Sequence, residues 1–286
     1  MRSSLVLIVL SLLALTPERA LAFCQATTGA ASASCPSACS STGVPVHWGT
    51  REIEYAFNGR GFSGLDQLAV RNAVAAAFAA WREVPCAGHP LGFRFFELSM
   101  STDLTVGPMA AEPNLNVISL LTAAEWQREG FAASEFARTK LWFDDESGEI
   151  LGADIAFNPS IMPLVVCPDS TSCNSDAVDL QNVITHELGH FLGLAHSEDA
   201  SATMWCAAQR GDHEKRSLAD DDKVGLCAVY KNGAAFIDAP VGPTTAPASE
   251  AEDAGGCALH TSPVGSAPWA LLLPVLAWRT RKRRPM

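Results

Sequence analysis

The sequence predicts an α/β (α+β) domain with a twisted, mostly parallel sheet, one antiparallel edge strand, a long crossover helix and a C-terminal helix. Three observations lead to this fold class. Strand-like segments flank a long amphipathic helix, and a helix that joins two strands brings them side by side in parallel. A short turn over residues 144–148 joins two later strands, which makes that pair antiparallel. A histidine-rich helix and a last helix then follow along the chain.

The first half of the predicted domain contains the strand that opens the sheet and the crossover helix. Apolar side chains alternate at Ile53, Tyr55 and Phe57, which predicts a strand over residues 48–57. Residues 65–84 are predicted to form the helix, because apolar side chains recur on one face and alanine fills the turns. The next elements are two strands and a short helix, over residues 91–98, 116–121 and 122–129.

The second half of the domain is predicted to begin with a hairpin and to end with two helices. The hairpin strands cover residues 139–143 and 149–157, where apolar side chains are frequent. The histidine-rich helix covers residues 178–192, and Asp176 is a suitable N-terminal cap for it. The last helix covers residues 218–230.

The histidine-rich helix carries the motif H-E-x-G-H-x-x-G-x-x-H. His186 and His190 are four residues apart, so a helix presents both imidazoles on one face, where they can bind one zinc ion. Gly193 can adopt a positive φ angle, which ends the helix and lets His196 return as the third ligand. Three protein ligands leave one tetrahedral position open for water, as at a catalytic zinc. Glu187 lies beside this face and can take a proton from that water as a general base.

Histidines that bind nothing are the alternative reading of this helix, since the pattern H-E-x-x-H alone is short enough to arise by chance. Gly189, Gly193 and His196 extend the pattern at fixed spacing, which favours the zinc site. The extended segment resembles the zinc signature of the metzincin metalloproteases. Ser197, directly after the third histidine, and Met204, eight residues after it, resemble the matrixin branch of that group.

This resemblance implies a metzincin-like zincin domain in which Met204 forms the Met-turn, an apolar floor under the three histidines. Ordinary core packing of Met204 is compatible with that role. Asp221 and Asp222 match acidic residues that hydrogen-bond the backbone below the Met-turn. Residues 205–217 then form a wall of the pocket that receives the residue after the scissile bond.

The segment before the zinc helix also resembles secreted bacterial matrixin-like proteases, over residues 144–158. In metzincins an antiparallel edge strand at this place lines the cleft and pairs with the extended substrate backbone. The resemblance therefore implies that residues 151–157 line the cleft. The substrate-binding residues predicted on this basis are Gly152, Ala153, Asp154 and Ile155.

The function implied by the resemblance is that of a zinc metalloendopeptidase acting on polypeptide substrates. Zinc lowers the pKa of its bound water, and Glu187 accepts the proton and later returns it to the leaving amine. One alternative is a non-catalytic surface or adhesion protein that keeps zinc for stability. The presence of Glu187 argues against it, because a purely structural zinc site needs no carboxylate there. A hydrolase of a non-peptide amide is a second alternative, and only substrate profiling distinguishes it from a peptidase.

The two ends of the chain differ from the middle. Residues 1–22 begin with a basic residue, continue with an apolar run and end in Ala-Leu-Ala, which predicts a secretory signal peptide and a mature chain from Phe23. Near the other end, Cys257, an apolar stretch and an arginine cluster resemble the C-terminal sorting tags of myxobacterial surface proteins. A disordered basic tail is the alternative. The predicted organisation is a signal peptide (1–22), a Cys/Ser/Ala-rich segment (23–46), the metalloprotease domain (47–233), an Ala/Pro-rich linker (234–256) and a sorting or anchor tail (257–286).

Charge and export limit the partners. The formal net charge is −11, and it is more negative still without the two ends, which disfavours a nucleic-acid partner. We expect an exported, extracellular or surface-held monomer, attached to a membrane or cell surface through its tail. Acidic side chains around the hairpin form either a calcium site with unassigned ligands or a solvated acidic turn, at Asp144, Asp145, Glu149 and Asp154.

Nine cysteines fit export to an oxidising compartment. Eight of them lie in or just before the predicted domain, which is enough for four disulfides, and Cys257 stands apart. Spacing does not determine their connectivity. Two pairings are attractive guesses: Cys206 with Cys227, which ties the Met-turn loop to the last helix, and Cys167 with Cys173, which closes a small loop.

Overall fold

The computed structural model of the chain describes most of the predicted domain. The described residues are 22–29, 35, 39, 42–98, 115–160, 163–168, 173–230, 249–250 and 258–259. The predicted signal peptide before Ala22, the cysteine at 257 and the arginine cluster of the predicted sorting tag lie outside these residues. Within them, no helix has both the length and the apolar character that crossing a membrane requires.

The secondary structure follows the predicted order, with boundaries that differ by a few residues. In the first half the elements are β1 (Glu52–Phe57), α1 (Gln67–Arg82), β2 (Pro85–Cys86), β3 (His89–Pro90), β4 (Arg94–Leu98), β5 (Asn116–Leu120) and α2 (Ala123–Arg128). In the second half they are β6 (Ala137–Phe143), β7 (Ile150–Phe157), β8 (Leu164–Val165), β9 (Val178–Asp179), α3 (Leu180–Phe191), β10 (Ala207–Ala208), a 3-10 turn (Glu214–Arg216), α4 (Asp220–Tyr230), β11 (Ser249–Glu250) and β12 (Ala258–Leu259).

One six-stranded sheet organises the domain, in the order β11-β6-β7-β5-β1-β4. The pairs β4–β1, β1–β5 and β5–β7 are parallel, whereas β6 runs antiparallel to β7. Crossover connections such as α1 make the parallel pairs, and the short turn between β6 and β7 makes the antiparallel one. The predicted α/β class with a mostly parallel sheet is therefore confirmed.

The structure corrects which hairpin strand lies at the edge. Ile155 of β7 pairs with Ile118 of β5 on one side and with Thr139 of β6 on the other. A strand with neighbours on both sides has no free backbone groups for strand addition. The prediction that β7 is an edge strand is wrong, whereas the substrate-binding role of Gly152, Ala153, Asp154 and Ile155 stays a prediction. Among the strands of the hairpin, β6 is the outer one, and β11 pairs with it at Trp142 and Phe143.

Helix α1 packs one apolar face against the sheet and against α3. Its N-cap is Asp66, whose carboxylate accepts a hydrogen bond from the Ala69 backbone N–H at 2.7 Å. The indole N–H of Trp81 donates to the backbone oxygen of Thr185 at 2.8 Å, which fixes α1 to α3. Burying each large side chain of this face stabilises the fold by about 1.5–3 kcal/mol. The buried residues of the face are Val70, Ala73, Val74, Ala77, Phe78 and Trp81.

Two of the acidic residues around the hairpin, Asp144 and Asp154, make hydrogen bonds within the fold. The Asp144 carboxylate accepts hydrogen bonds from the backbone N–H and the hydroxyl of Ser147, at 2.8 and 2.9 Å, and these bonds lower the pKa of Asp144. Asp154 is buried inside the sheet and accepts from the Val117 N–H at 2.7 Å. In the part of the chain that the structure describes, these carboxylates form no cluster that could hold a metal ion. Calcium is therefore not supported.

Four disulfides join the eight cysteines of the described region: Cys24–Cys39, Cys35–Cys206, Cys86–Cys227 and Cys167–Cys173. The predicted small loop from Cys167 to Cys173 is confirmed. The predicted pair of Cys206 with Cys227 is wrong, because α4 presents Cys227 to Pro85 of the β2–β3 hairpin instead. Cys206 is thereby left to bind the N-terminal segment at Cys35.

Candidate metal centre

Helix α3 carries the first two histidines of the motif on its buried side. The helix begins after Asp179, because β9 pairs with β8 and keeps the preceding residues extended. Asp179 caps the helix by accepting from the Asn182 backbone N–H at 3.1 Å, so the predicted cap Asp176 is wrong. His186 and His190 then lie one turn apart, with ring centroids 4.8 Å from each other, and both are fully buried.

Gly193 ends the helix and turns the chain back toward the site. Its φ angle is +90°, in the left-handed region that favours glycine. A β-carbon here would lie 2.5 Å from the backbone oxygen of Val46, so the close approach also excludes a side chain. The turn brings the ring of His196 to within 4.8 Å of His190 and 5.3 Å of His186, measured between centroids. The three predicted ligands therefore meet.

The three imidazoles share one unpartnered face. Their ligand atoms all lie within 4.8 Å of one another, and each Nε2 is buried without a hydrogen-bond partner in the described residues. A buried polar atom left unpaired costs about 1–3 kcal/mol, so three that converge indicate a common metal ion. On the opposite ring edges, His186 Nδ1 donates to the Thr203 oxygen at 2.6 Å and His190 Nδ1 to the Leu194 oxygen at 2.8 Å. These bonds select the tautomer whose Nε2 lone pair faces the metal.

Burial keeps the imidazoles neutral. It lowers the pKa of His186 and His196 well below the usual range, and that of His190 to about 3. The ammonium of Lys215, 3.4 Å from His186 Nδ1, adds to the lowering of each pKa. A neutral imidazole is the form that binds a metal. The donor chemistry therefore fits zinc, which takes imidazole nitrogens and keeps one position open when only three protein ligands are present.

Met204 lies against α3 where the glycine of the motif makes room for it. Its side chain is buried. A β-carbon at Gly189 would collide with the Met204 sulfur and with the ring of Trp81. The glycine between the two helical histidines is therefore explained by packing against the thioether of Met204, and the Met-turn role of this residue stays a prediction.

Asp222 of α4 holds the loop that contains Met204. Its carboxylate accepts three backbone hydrogen bonds, from the N–H groups of Thr203 at 2.7 Å, Met204 at 2.9 Å and Ala219 at 2.8 Å. The oxygen of Thr203 in turn accepts from His186 Nδ1. Asp222 therefore positions a metal ligand through a single peptide unit, as an outer-shell partner does at many metal sites.

Asp221 holds the segment around the third histidine. One carboxylate oxygen accepts from the hydroxyl of Ser197, the neighbour of His196, at 2.7 Å. The other accepts from the backbone N–H groups of Ala22 and Phe23, at 2.8 and 3.1 Å. The side chain thus ties the N-terminal segment to the strand-like stretch that carries the last ligand.

Glu187 is fully buried beside the histidines, and Thr139 of β6 holds its side chain. The Thr139 hydroxyl lies 2.7 Å from Glu187 Oε2 and 3.0 Å from the Glu187 backbone oxygen. A hydroxyl has one proton, and the shorter contact is to the ionisable carboxylate. The bond orients the carboxylate from across the sheet. Nothing in the local sequence indicates this role, because Thr139 lies 48 positions before Glu187.

Two basic residues near the site were also not predicted. Lys215 donates to the backbone oxygen of Trp205, in the loop after the Met-turn, and contacts His186. Arg216 donates to Asp179 Oδ1 at 2.8 Å, which pairs the N-cap of α3 with a buried cation. Both belong to residues 205–217, the predicted pocket wall. In the sequence, the only available sign of their role was that a Lys-Arg pair is unusual in an acidic domain.

Strand β6 contacts the helix that carries the first two histidines. β6 approaches it through Thr139, which contacts Glu187. β10 follows Met204 closely in the chain and belongs to residues 205–217, the predicted pocket wall. The site is therefore a buried group of three imidazoles and one carboxylate, with β6 beside the carboxylate.

Comparison with known proteins agrees with this site. The family model Matrixin (Peptidase_M10) matches residues 47–231. Metalloendoproteinase 1-MMP of Arabidopsis thaliana is 41% identical over 66 residues, which cover 23% of this chain and 18% of that protein. Metalloendoproteinase 5-MMP of the same plant is 29% identical over 185 residues, covering 63% and 44%. Human Matrilysin is 37% identical over 60 residues, covering 21% and 22%. The chain thus spans less than half the length of these relatives. Because the family model matches more than half of it, the chain belongs to the matrixin family.

Proposed function

We propose that this chain is an exported, zinc-dependent endopeptidase that hydrolyses peptide bonds in polypeptide substrates. Membership of the matrixin family supports a zinc metalloendopeptidase. The observation that carries the proposal is the convergence of three unpartnered Nε2 atoms beside a buried carboxylate that is not one of the ligands. A site built only for stability has no need of that carboxylate.

His186, His190 and His196 would hold the zinc ion. Their Nδ1 hydrogen bonds and their burial prepare neutral rings for it, as described above. A bound zinc ion supplies Lewis acidity, which activates water and polarises the scissile carbonyl.

Glu187 moves the proton. Its carboxylate accepts a proton from the attacking water and delivers it to the amine nitrogen as the carbon–nitrogen bond breaks. Thr139 restricts the rotation of this carboxylate by donating to Oε2. Because Glu187 is fully buried, bulk water does not compete for the proton during the transfer.

We further propose that substrates extend along β6 rather than along β7. Strand β6 is the outer strand of the hairpin, and Thr139 links it directly to Glu187. Strand β11 pairs with β6 at Trp142 and Phe143, beyond the part of β6 that contains Thr139. Backbone pairing to such an edge supplies affinity with little dependence on sequence, while pockets for alternate side chains supply specificity. Residues 205–217 form the opposite wall.

We infer export from the N-terminal apolar run and its Ala-Leu-Ala end. The four disulfides support an oxidising compartment. Cleavage after Ala22 would free the amino group of Phe23, whose nitrogen lies 3.1 Å from Asp221 Oδ1, so the new ammonium would be paired at once. The tail that resembles a sorting tag supports attachment at the cell surface. Mass spectrometry of the secreted protein tests both ends.

The catalytic proposal is tested with the full mature chain, loaded with zinc and given a library of quenched fluorescent peptides. Glu187→Gln keeps the shape of the side chain, and Glu198→Gln is the matched control because Glu198 is exposed near the same histidines. We expect both variants to bind one zinc ion, and only Glu187→Gln to lose about 10²–10⁴-fold in kcat.

Two results would contradict the proposal. Equal cleavage by the wild type and Glu187→Gln would remove Glu187 from the reaction. A wild-type protein that binds zinc, melts at a higher temperature with it and cleaves no peptide would instead support a non-catalytic, zinc-stabilised surface protein.

A further inference from the structure

The last carbonyl groups of helix α3 are hydrogen-bonded in two different ways. A helix leaves its final backbone oxygens without partners inside the helix. The oxygen of His190 accepts from the N–H of Gly193 at 2.9 Å, within the turn itself. The N–H of Ala195, which a longer helix would direct to Phe191, donates to the N-terminal segment instead. Donors for the oxygens of Phe191 and Leu192 come from outside the helix and its turn.

Two buried aromatic side chains supply those donors. The indole Nε1 of Trp48 donates to the Phe191 oxygen at 2.8 Å, and the hydroxyl of Tyr230 donates to the Leu192 oxygen at 2.9 Å. Both side chains are buried, and they are 143 and 38 positions away from these oxygens in the chain. Trp48 precedes β1, and Tyr230 is the last residue of α4. We call these two side chains the aromatic clamp.

The aromatic clamp is itself held in place. The backbone N–H of Trp48 donates to the Tyr230 hydroxyl oxygen at 3.4 Å, so the two members of the clamp are joined. The Trp48 ring packs against Phe191, and the Tyr230 ring packs against Phe93, with centroids 5.3 and 4.9 Å apart. Burial raises the pKa of the Tyr230 hydroxyl, so its proton stays available for the bond to the helix. Aromatic side chains have few rotatable bonds, which makes such donors rigid.

The clamp acts on the peptide units directly before the turn that leads to the third histidine. Gly193 follows Leu192 with a φ angle of +90°, and His196 is three residues further along. A peptide unit is planar and rigid, so a rotation of the Leu192 carbonyl turns the whole unit and shifts the residues after it. Metal ligands have to be held within about 0.5 Å of their productive geometry. The position of His196 therefore depends on how the end of α3 is fixed.

We propose that Trp48 and Tyr230 are positioning residues for the metal site, which hold the end of α3 so that the turn at Gly193 brings His196 to the other two histidines before a metal ion binds. This inference deepens the proposed function and rests on the part of it that assigns His196 to zinc, not on peptide hydrolysis. Without the Tyr230 hydroxyl, the buried Leu192 oxygen has to rotate toward another donor, and the turn moves with it.

The experiment compares two tyrosine variants of the full mature chain. Tyr230→Phe removes only the hydroxyl of the clamp. Tyr55→Phe is the matched control, because Tyr55 is the other tyrosine of the chain, is equally buried and packs against Phe78 from β1. A competitive chelator titration gives the zinc dissociation constant. The d–d absorption bands of the Co²⁺-loaded protein depend on coordination geometry, so they report whether His196 is bound.

We expect Tyr230→Phe to raise the zinc dissociation constant about tenfold and to change the cobalt spectrum, and the control to behave as the wild type. A double-mutant cycle shows whether the effect depends on the third ligand. In a His196→Ala background the ligand that the clamp positions is absent, so Tyr230→Phe should change zinc affinity by less than about twofold. An equal factor in both backgrounds would show that the hydroxyl supports the whole helix, and the inference would be wrong. If Tyr230→Phe does not fold, Trp48→Phe removes the other donor and repeats the same test.

The outcomes separate this inference from peptide hydrolysis. A Tyr230→Phe protein that melts at a lower temperature in chelator, yet binds zinc and cobalt like the wild type, would show a packing role only and would overturn the inference. The expected zinc and cobalt results without cleavage of any peptide would support the inference and contradict the peptidase function. A wild-type chain that binds no zinc would overturn both.

Discussion

Replacing Asp222 by asparagine tests whether the support beneath the metal ligands is as specific as its geometry indicates. The carboxylate accepts backbone N–H groups with both oxygens, through Oδ2 from Thr203 and Ala219 and through Oδ1 from Met204. An amide has one acceptor and one donor end. The orientation of the asparagine amide that keeps more hydrogen bonds retains the two at the Oδ2 position and turns the NH₂ group toward the Met204 N–H.

The cost of Asp222→Asn follows from that mismatch. One buried N–H loses a charged acceptor and faces another donor, which should destabilise the domain by about 2–4 kcal/mol. For a domain of this size the melting temperature should fall by about 5–15 °C. Because Thr203 also accepts the Nδ1–H of His186, we expect zinc affinity to fall by about 10–100-fold.

The measurements are thermal unfolding in chelator and a competitive zinc titration. Asp220→Asn is the matched control: Asp220 lies two residues earlier on α4, is exposed, and pairs with Lys223 at 3.2 Å. We expect it to change the melting temperature by less than about 2 °C. An Asp222→Asn protein that melts and binds zinc like the control would refute the role assigned to the carboxylate.

Three further predictions concern the same site. Gly193→Ala should lower the free energy of unfolding by about 1–3 kcal/mol more than Gly64→Ala does, as measured by denaturant titration. Both glycines have a positive φ angle, but only a β-carbon at residue 193 would press against Val46. Equal losses of stability in the two variants would contradict this prediction. Thr139→Val should lower kcat about tenfold with zinc affinity unchanged, because only the hydrogen bond to Glu187 is lost; a parallel loss of zinc would point to a structural role. Without metal, stability should fall as pH decreases from about 6.5 towards 3, by up to about 1.4 kcal/mol per pH unit for each ligand histidine, because the unfolded imidazoles bind protons that the buried ones do not. Urea titrations of the chelated protein at several pH values measure this slope, and a flat profile between pH 7 and 5 would oppose it.

The metal ligands were predictable because the information is local. His186 and His190 lie one turn apart on the same helix. The positive φ angle of Gly193 alone turns the chain so that His196 returns to them. The crossover helix and the hairpin were predictable for the same reason, since periodicity and turn residues act over a few positions. The cap of α3 was placed too early because β9 keeps its residues extended through pairing with the distant β8, which no local pattern reveals.

The failures concern contacts between distant segments. Both hairpin strands are apolar and almost wholly buried, so burial could not decide which one lies outside; the pairing of β7 with β5 decides it. Thr139 is an unremarkable residue in a strand until the fold sets it against Glu187. The partners of Cys206 and Cys227 likewise depend on how the N-terminal segment and the β2–β3 hairpin pack.

Two of the disulfides make the stability of the domain depend on its compartment. Cys35–Cys206 and Cys86–Cys227 join residues 171 and 141 positions apart, and Cys206 lies just past Met204. Closing a loop of this size lowers the entropy of the unfolded chain by an amount equivalent to about 5 kcal/mol in the loop-entropy account, although overlapping loops do not add in full. A newly made chain in a reducing cytoplasm lacks this contribution, at the very place where the floor of the metal site is held. We therefore expect the domain to become fully stable only after it reaches an oxidising compartment.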